Sequence, residues 1–81
     1  MEKEILKYYE DIVALIKSNK KEDALTILQD KAGPLILKLD DFTRRDYQDL
    51  YDQVYDFIND IPYSSLEEIE DTLKQLINKN N

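Results

Sequence analysis

The sequence predicts an all-α fold, a compact antiparallel bundle of four main helices plus one short helix. Three observations carry that prediction. Apolar residues recur at helical spacing in four separate segments. Glycine occurs once and proline twice, which leaves too few turn residues for a many-stranded sheet. Hydroxyl residues suited to helix starts, Thr43 and the Ser64-Ser65 pair, stand just ahead of two of the apolar stripes. The 81 residues are expected to form one domain, residues 1–81.

Glu2 to about Ser18 reads as the first helix, with Ile5, Leu6, Tyr9, Ile12, Val13 and Ile16 on one face. Tyr8 and Leu15 widen that face along one flank and are expected to touch neighbours on a second side. Asn19-Lys20-Lys21 is the break, and these lysines with Lys17 suit the negative end of the helix dipole. The second helix runs from Glu22 to about Lys31, with Ala24, Leu25, Ile27, Leu28 and Ala32 as its apolar positions. Gly33-Pro34 is expected to close it, because glycine takes the left-handed position after a helix and proline cannot continue one. Leu35 to Leu39 then forms the short helix, since a strand here would find no partner.

Thr43-Arg44-Arg45-Asp46 has the form of a capping box, with Asp in place of the usual Glu or Gln. It predicts a helix from Thr43 to about Asp60 with Tyr47, Leu50, Val54, Phe57, Ile58 and Ile61 facing inward, stopped by Pro62. Ser64 with Glu67 and Ser65 with Glu68 give two overlapping boxes before the last helix. That helix reaches about Lys79 and buries Leu66, Ile69, Leu73, Leu76 and Ile77.

Composition narrows the chemistry. The chain has no cysteine, so disulfides and thiolate metal sites are excluded, and no histidine, the commonest base at neutral pH. Ser64 and Ser65 therefore read as caps, not nucleophiles. The single glycine lies beside no acid cluster, so no calcium loop is present. No enzyme activity, cofactor or specific metal is expected. The first twenty residues interleave charged with apolar side chains, and the longest apolar run is Leu35-Ile36-Leu37. Neither a leader nor a membrane span is legible there, and the expected location is cytoplasmic.

Charge is the most informative feature. The net charge is −7, which argues against direct binding to nucleic acid. The acidity is concentrated: from Asp46 to Asp71 there are nine acids and no lysine or arginine. On a helical wheel Asp46, Asp49, Asp52, Asp56 and Asp60 fall within an arc of about 120°, roughly opposite the apolar stripe. Arg45 is the only base in that arc. Tyr47, Tyr51 and Tyr55 recur every four residues and run from the edge of the stripe onto one flank. The plain explanation is a solvated face with two boundary tyrosines, Tyr47 and Tyr51. The functional one is a docking surface formed by Asp46, Asp49, Asp52, Asp56 and Asp60 with Tyr51 and Tyr55, steered by charge onto a basic partner.

The expected function is stoichiometric inhibition or regulation of a basic partner protein. In size and acidity the chain is similar to immunity proteins, antitoxins and phage-encoded inhibitors of bacterial defence, although it carries no motif of any of them. A variant is nucleic-acid mimicry, in which the aspartates occupy a partner's nucleic-acid-binding groove. The alternative is a structural homodimer or assembly subunit that pairs through wide apolar faces such as Tyr8 and Leu15.

Overall fold

The first helix, α1 (Glu2–Lys17), forms where its apolar spacing places it, and all six residues of its expected face are buried. The computed structural model describes residues 1–62 and 64–80. After α1 come α2 (Lys21–Ile27), a wide π-turn (Leu28–Ala32), α3 (Gly33–Ile36), α4 (Asp41–Ile58) and α5 (Leu66–Lys79), with no strand among the described residues.

Two helices end in the same way. After α1, Asn19 takes a left-handed φ of 63°, and after α4 Asp60 takes 59°. Lys20 N–H then reaches back to Leu15 O at 2.8 Å, and Ile61 N–H to Asp56 O at 2.9 Å. This six-to-one bond satisfies a carbonyl left open at the helix end. Asn and Asp tolerate the left-handed region better than most side chains. Ile61 therefore lies past the end of α4 and is 37% exposed, not part of the buried stripe.

The one glycine does something else. Gly33 keeps right-handed helical dihedrals, φ −54° and ψ −52°, so Gly33-Pro34 does not close the second helix. The chain passes from α2 through the π-turn into α3 without a break, and the expected short helix is this continuation. Gly33 N–H bonds to Leu28 O, five residues back instead of four. The widened turn brings Pro34 into the first turn of α3, where a missing N–H is tolerated. Glycine is needed here for space: a Cβ would meet Leu28 O at 3.3 Å and Tyr51 Cε2 at 3.4 Å.

Helix α4 also begins earlier than the capping box implied. Asp40 is the cap, and its carboxylate accepts from Thr43 N–H at 2.7 Å. That bond holds the Asp40 carboxyl below the usual carboxylate range. Thr43 sits inside the first turn, behind Asp41, whose carboxylate pairs with Arg44. Of the two serines before α5, Ser65 is the cap, accepting from Glu68 N–H at 3.2 Å. Ser64 Oγ instead donates to Gln53 O on α4 at 2.8 Å.

Specific contacts fix the direction of each helix. Asp46 meets Lys79, and Gln53 accepts from Thr72, so α4 and α5 are antiparallel. Lys17 pairs with Glu70 while Glu2 and Asn80 meet on Tyr47, so α1 opposes α5. Lys21 pairs with Asp60 while Gly33 lies against Tyr51, so the α2–α3 segment opposes α4. The core is one apolar cluster that draws on every helix. Its polar tips are satisfied: Tyr9 Oη donates to Tyr47 O at 3.0 Å, and no described buried side-chain polar atom lacks a partner. The radius of gyration is 11.6 Å, matching the roughly 12 Å of a compact chain of this length. No described helix is long and apolar enough to cross a membrane.

Candidate partner-binding face

Helix α4 places Asp46, Asp49, Asp52 and Asp56 on its outer side because Tyr47, Leu50, Val54 and Ile58 are drawn into the core. The four acids differ in their surroundings. Asp46 is half-buried and paired with Lys79 Nζ at 2.8 Å. Asp49 is exposed on the rim of a shallow groove of about 250 Å³ between α4 and α5. Gln53, Thr72, Gln75 and Leu76 also line that groove. Asp52 is exposed and accepts from Gln48 Nε2 at 3.3 Å, and Asp56 is half-buried. None of Asp49, Asp52 and Asp56 forms an ion pair with a described residue.

Asp60 separates from this set. It lies beyond the end of α4 and pairs with Lys21 Nζ at 3.1 Å. Lys21 also stands 5.1 Å above the Phe57 ring, which explains why Phe57 is only half-buried yet shielded. Lys21 thus clamps the start of α2 to the end of α4.

The three tyrosines divide likewise. Tyr47 belongs to the core at 1% exposure, with only its hydroxyl at the edge, donating to Glu2 Oε1 and accepting from Asn80 Nδ2, both at 3.0 Å. Burial, with the nearby Glu2 carboxylate, pushes its pKa up to about 12. Tyr51 is half-buried and its pKa is raised, chiefly by burial. Tyr55 is 38% exposed and stacks on Tyr51, the ring centroids 6.4 Å apart and the planes 9° from parallel. The stacked pair forms a flat aromatic wall beside the aspartates.

A second groove, missed by the sequence reading, lies on the far side of that wall. It measures about 310 Å³ and runs between α3 and α4, lined by Gln29, Gly33, Pro34, Leu37, Gln48 and Tyr51. Leu37, just past α3, is 69% exposed. Helical phase gives a faint signal for this, since an inward Ile36 turns its neighbour about 100° outward. Phe42, 83% exposed, sits instead on the α5 side of α4, near Thr43 and Lys79. Tyr8 and Leu15 are half-buried against the core. Among the described residues, no three acidic side chains come together as metal ligands. Comparison with protein-family models, curated proteins and solved structures found no match to this chain.

Proposed function

We propose that the protein binds a basic partner protein stoichiometrically through the outer face of α4, and inhibits or regulates that partner by covering its charged surface. One observation carries the reading. Asp49, Asp52 and Asp56 form no ion pair with a described residue, and Arg45, the one base within their arc, is paired with none of them. The helix holds these carboxylates in fixed register, so little ordering is needed on association. Tyr51 and Tyr55 add an aromatic anchor at the edge of the charge. A partner whose basic surface is itself a nucleic-acid-binding groove fits the same arrangement.

The test compares wild type with the double variant Asp49→Lys, Asp56→Lys as baits in a lysate of the source cell, with captured proteins identified and their affinities remeasured pure. The expected result is a basic protein held one-to-one by wild type, released as salt rises, and lost from the variant with a slower association rate. A partner held equally by both baits overturns the reading. The homodimer alternative has less support, because Tyr8 and Leu15 spend much of their surface on the protein's own core. Sedimentation that finds a stable dimer favours it.

A further inference from the structure

The groove between α3 and α4 is continuous with the acidic face, and this continuity says what kind of partner segment fits. Gly33 contributes no side chain, so the groove is open down to the α3 backbone, with Pro34, Leu37 and Tyr51 around it. No charged residue is among its described lining, and Lys38, next to Leu37 in the chain, is exposed outside it. At about 310 Å³ it lies at the small end of ligand pockets, suited to one or two large side chains. Leu37 is exposed beyond the other large aliphatic residues of the chain.

Two contacts join this apolar groove to the acids. Gln48, at the rim, donates to the Asp52 carboxylate at 3.3 Å. Tyr51, in the wall, stacks on Tyr55, the neighbour of Asp56 in α4. An apolar floor and a carboxylate rim therefore lie within one helical turn of each other. The π-turn borders the same groove and contributes Gln29 to it, and such wide turns recur at functional sites.

We infer that the groove lined by Gly33, Pro34, Leu37 and Tyr51 seats an apolar side chain of the basic partner, so that the bound segment is a cationic amphipathic helix. Its apolar anchor enters the groove while lysine or arginine, one turn away, meets Asp52 and Asp56. This rests on the acidic-face reading and adds the anchor to it. Helix-in-groove recognition works in this way, with apolar side chains supplying affinity and charge supplying orientation.

The experiment titrates the ¹⁵N-labelled protein at about 150 mM salt with two peptides of about 14 residues. One is oligolysine. The other is a leucine–lysine peptide with its leucines on one helical face. Wild type is expected to bind the amphipathic peptide at least about tenfold more tightly, as burial of a leucine requires. Amide shifts should centre on Gly33, Leu37 and Tyr51. Leu37→Ser removes the advantage and leaves oligolysine binding intact, whereas Phe42→Ser, at an exposed aromatic away from the groove, changes neither. Equal affinity for both peptides overturns the inference, as does an advantage that survives Leu37→Ser or a Leu37-dependent self-dimer. Failure of oligolysine to bind, or its undiminished binding to Asp49→Lys, Asp56→Lys, overturns the acidic-face reading instead.

Discussion

Replacing Gly33 by alanine separates the two uses of glycine that compete at this position. In a helix interior, alanine is favoured over glycine by about 0.5–1 kcal/mol. Gly33 has helical dihedrals, so this gain is available. Against it stands the new Cβ, 3.3 Å from Leu28 O, tighter than an ordinary contact, and 3.4 Å from Tyr51 Cε2, at the near edge of one. Overpacking in a closed core costs about 1–3 kcal/mol. Here one wall is a half-buried tyrosine facing an open groove, which yields by a few tenths of an ångström at the low end of that range. The two effects nearly cancel, and Gly33→Ala is expected within about 0.5 kcal/mol of wild type in urea melts. In a Tyr51→Ala background the tighter contact, to the Leu28 carbonyl, remains, so the same change is expected to stabilise by at most about 0.5 kcal/mol. That corresponds to at most about 2–4 °C in Tm for a domain of this size. A left-handed Gly33 would make alanine cost about 1–2 kcal/mol in either background. A loss above about 1 kcal/mol in both would refute the continuous helix.

Three further outcomes follow from the described contacts. Asp40→Ala lowers the Tm more than Thr43→Ala, which keeps the donating N–H and loses only the hydroxyl beside the carboxylate; the reverse order would restore the Thr43 cap. Because the Asp40 carboxyl is held below its ordinary 3.8, its contribution is present above that pH and fades as pH falls, so wild type and Asp40→Ala converge in acid melts. Tyr47 shifts the other way, from 10.0 to about 12, so its contribution is complete below pH 10 and is lost as pH rises to about 12. Phenolate absorbance and alkaline melts of wild type and Tyr47→Phe check this, Tyr47→Phe lacking that share of the alkaline loss. Asp56→Lys leaves the Tm unchanged or raises it slightly, because it turns the like-charge pair with Asp52 into an attraction.

The centres of the buried stripes were legible because helical facing follows local spacing, while Phe57, Leu66 and Ile77, expected inward, are only half-buried at the flanks. In α1 the pattern named Ile5, Leu6, Tyr9, Ile12, Val13 and Ile16, and these are its buried residues. Helix ends were harder because neighbouring residues compete for one role. Asp40 and Thr43 are both good caps. Starting at Asp40 adds a turn, places Asp41 at the positive end of the dipole and lets it pair with Arg44. Gly33-Pro34 misled for the same reason: the pair is equally compatible with a stop and with a π-turn that puts proline in a first turn. In the fold Gly33 packs against the Tyr51 ring, eighteen positions along the chain, and no local pattern contains that contact. The aspartate arc was legible as spacing, but the loss of Asp60 from it followed from where α4 ends. The α3–α4 groove was not legible, since it exists only where two distant segments pack.

Helix α4 carries its charge against the ordinary preferences of a helix. Its last turn has no base, and Asp56 lies near the negative end of its dipole. Lys21 relieves this from another helix, pairing with Asp60 and covering Phe57. Lysine at the first position of α2 is itself unfavourable there, so the relief at α4 is taken from the start of α2. Lys79 offsets Asp46 at the other end in the same manner. These remedies serve Asp60 and Asp46, and Asp49, Asp52 and Asp56 between them have no ion pair among the described residues. A lysine at position 53 or 75, where Gln53 and Gln75 line the groove beside Asp49, would neutralise that stretch with no change to the core. The chain has polar amides there instead. Solubility alone asks for mixed charge on such a face. A row of carboxylates without an ion pair among the described residues, bordered by stacked tyrosines and an open apolar groove, is the feature on which the proposed docking of a cationic partner rests.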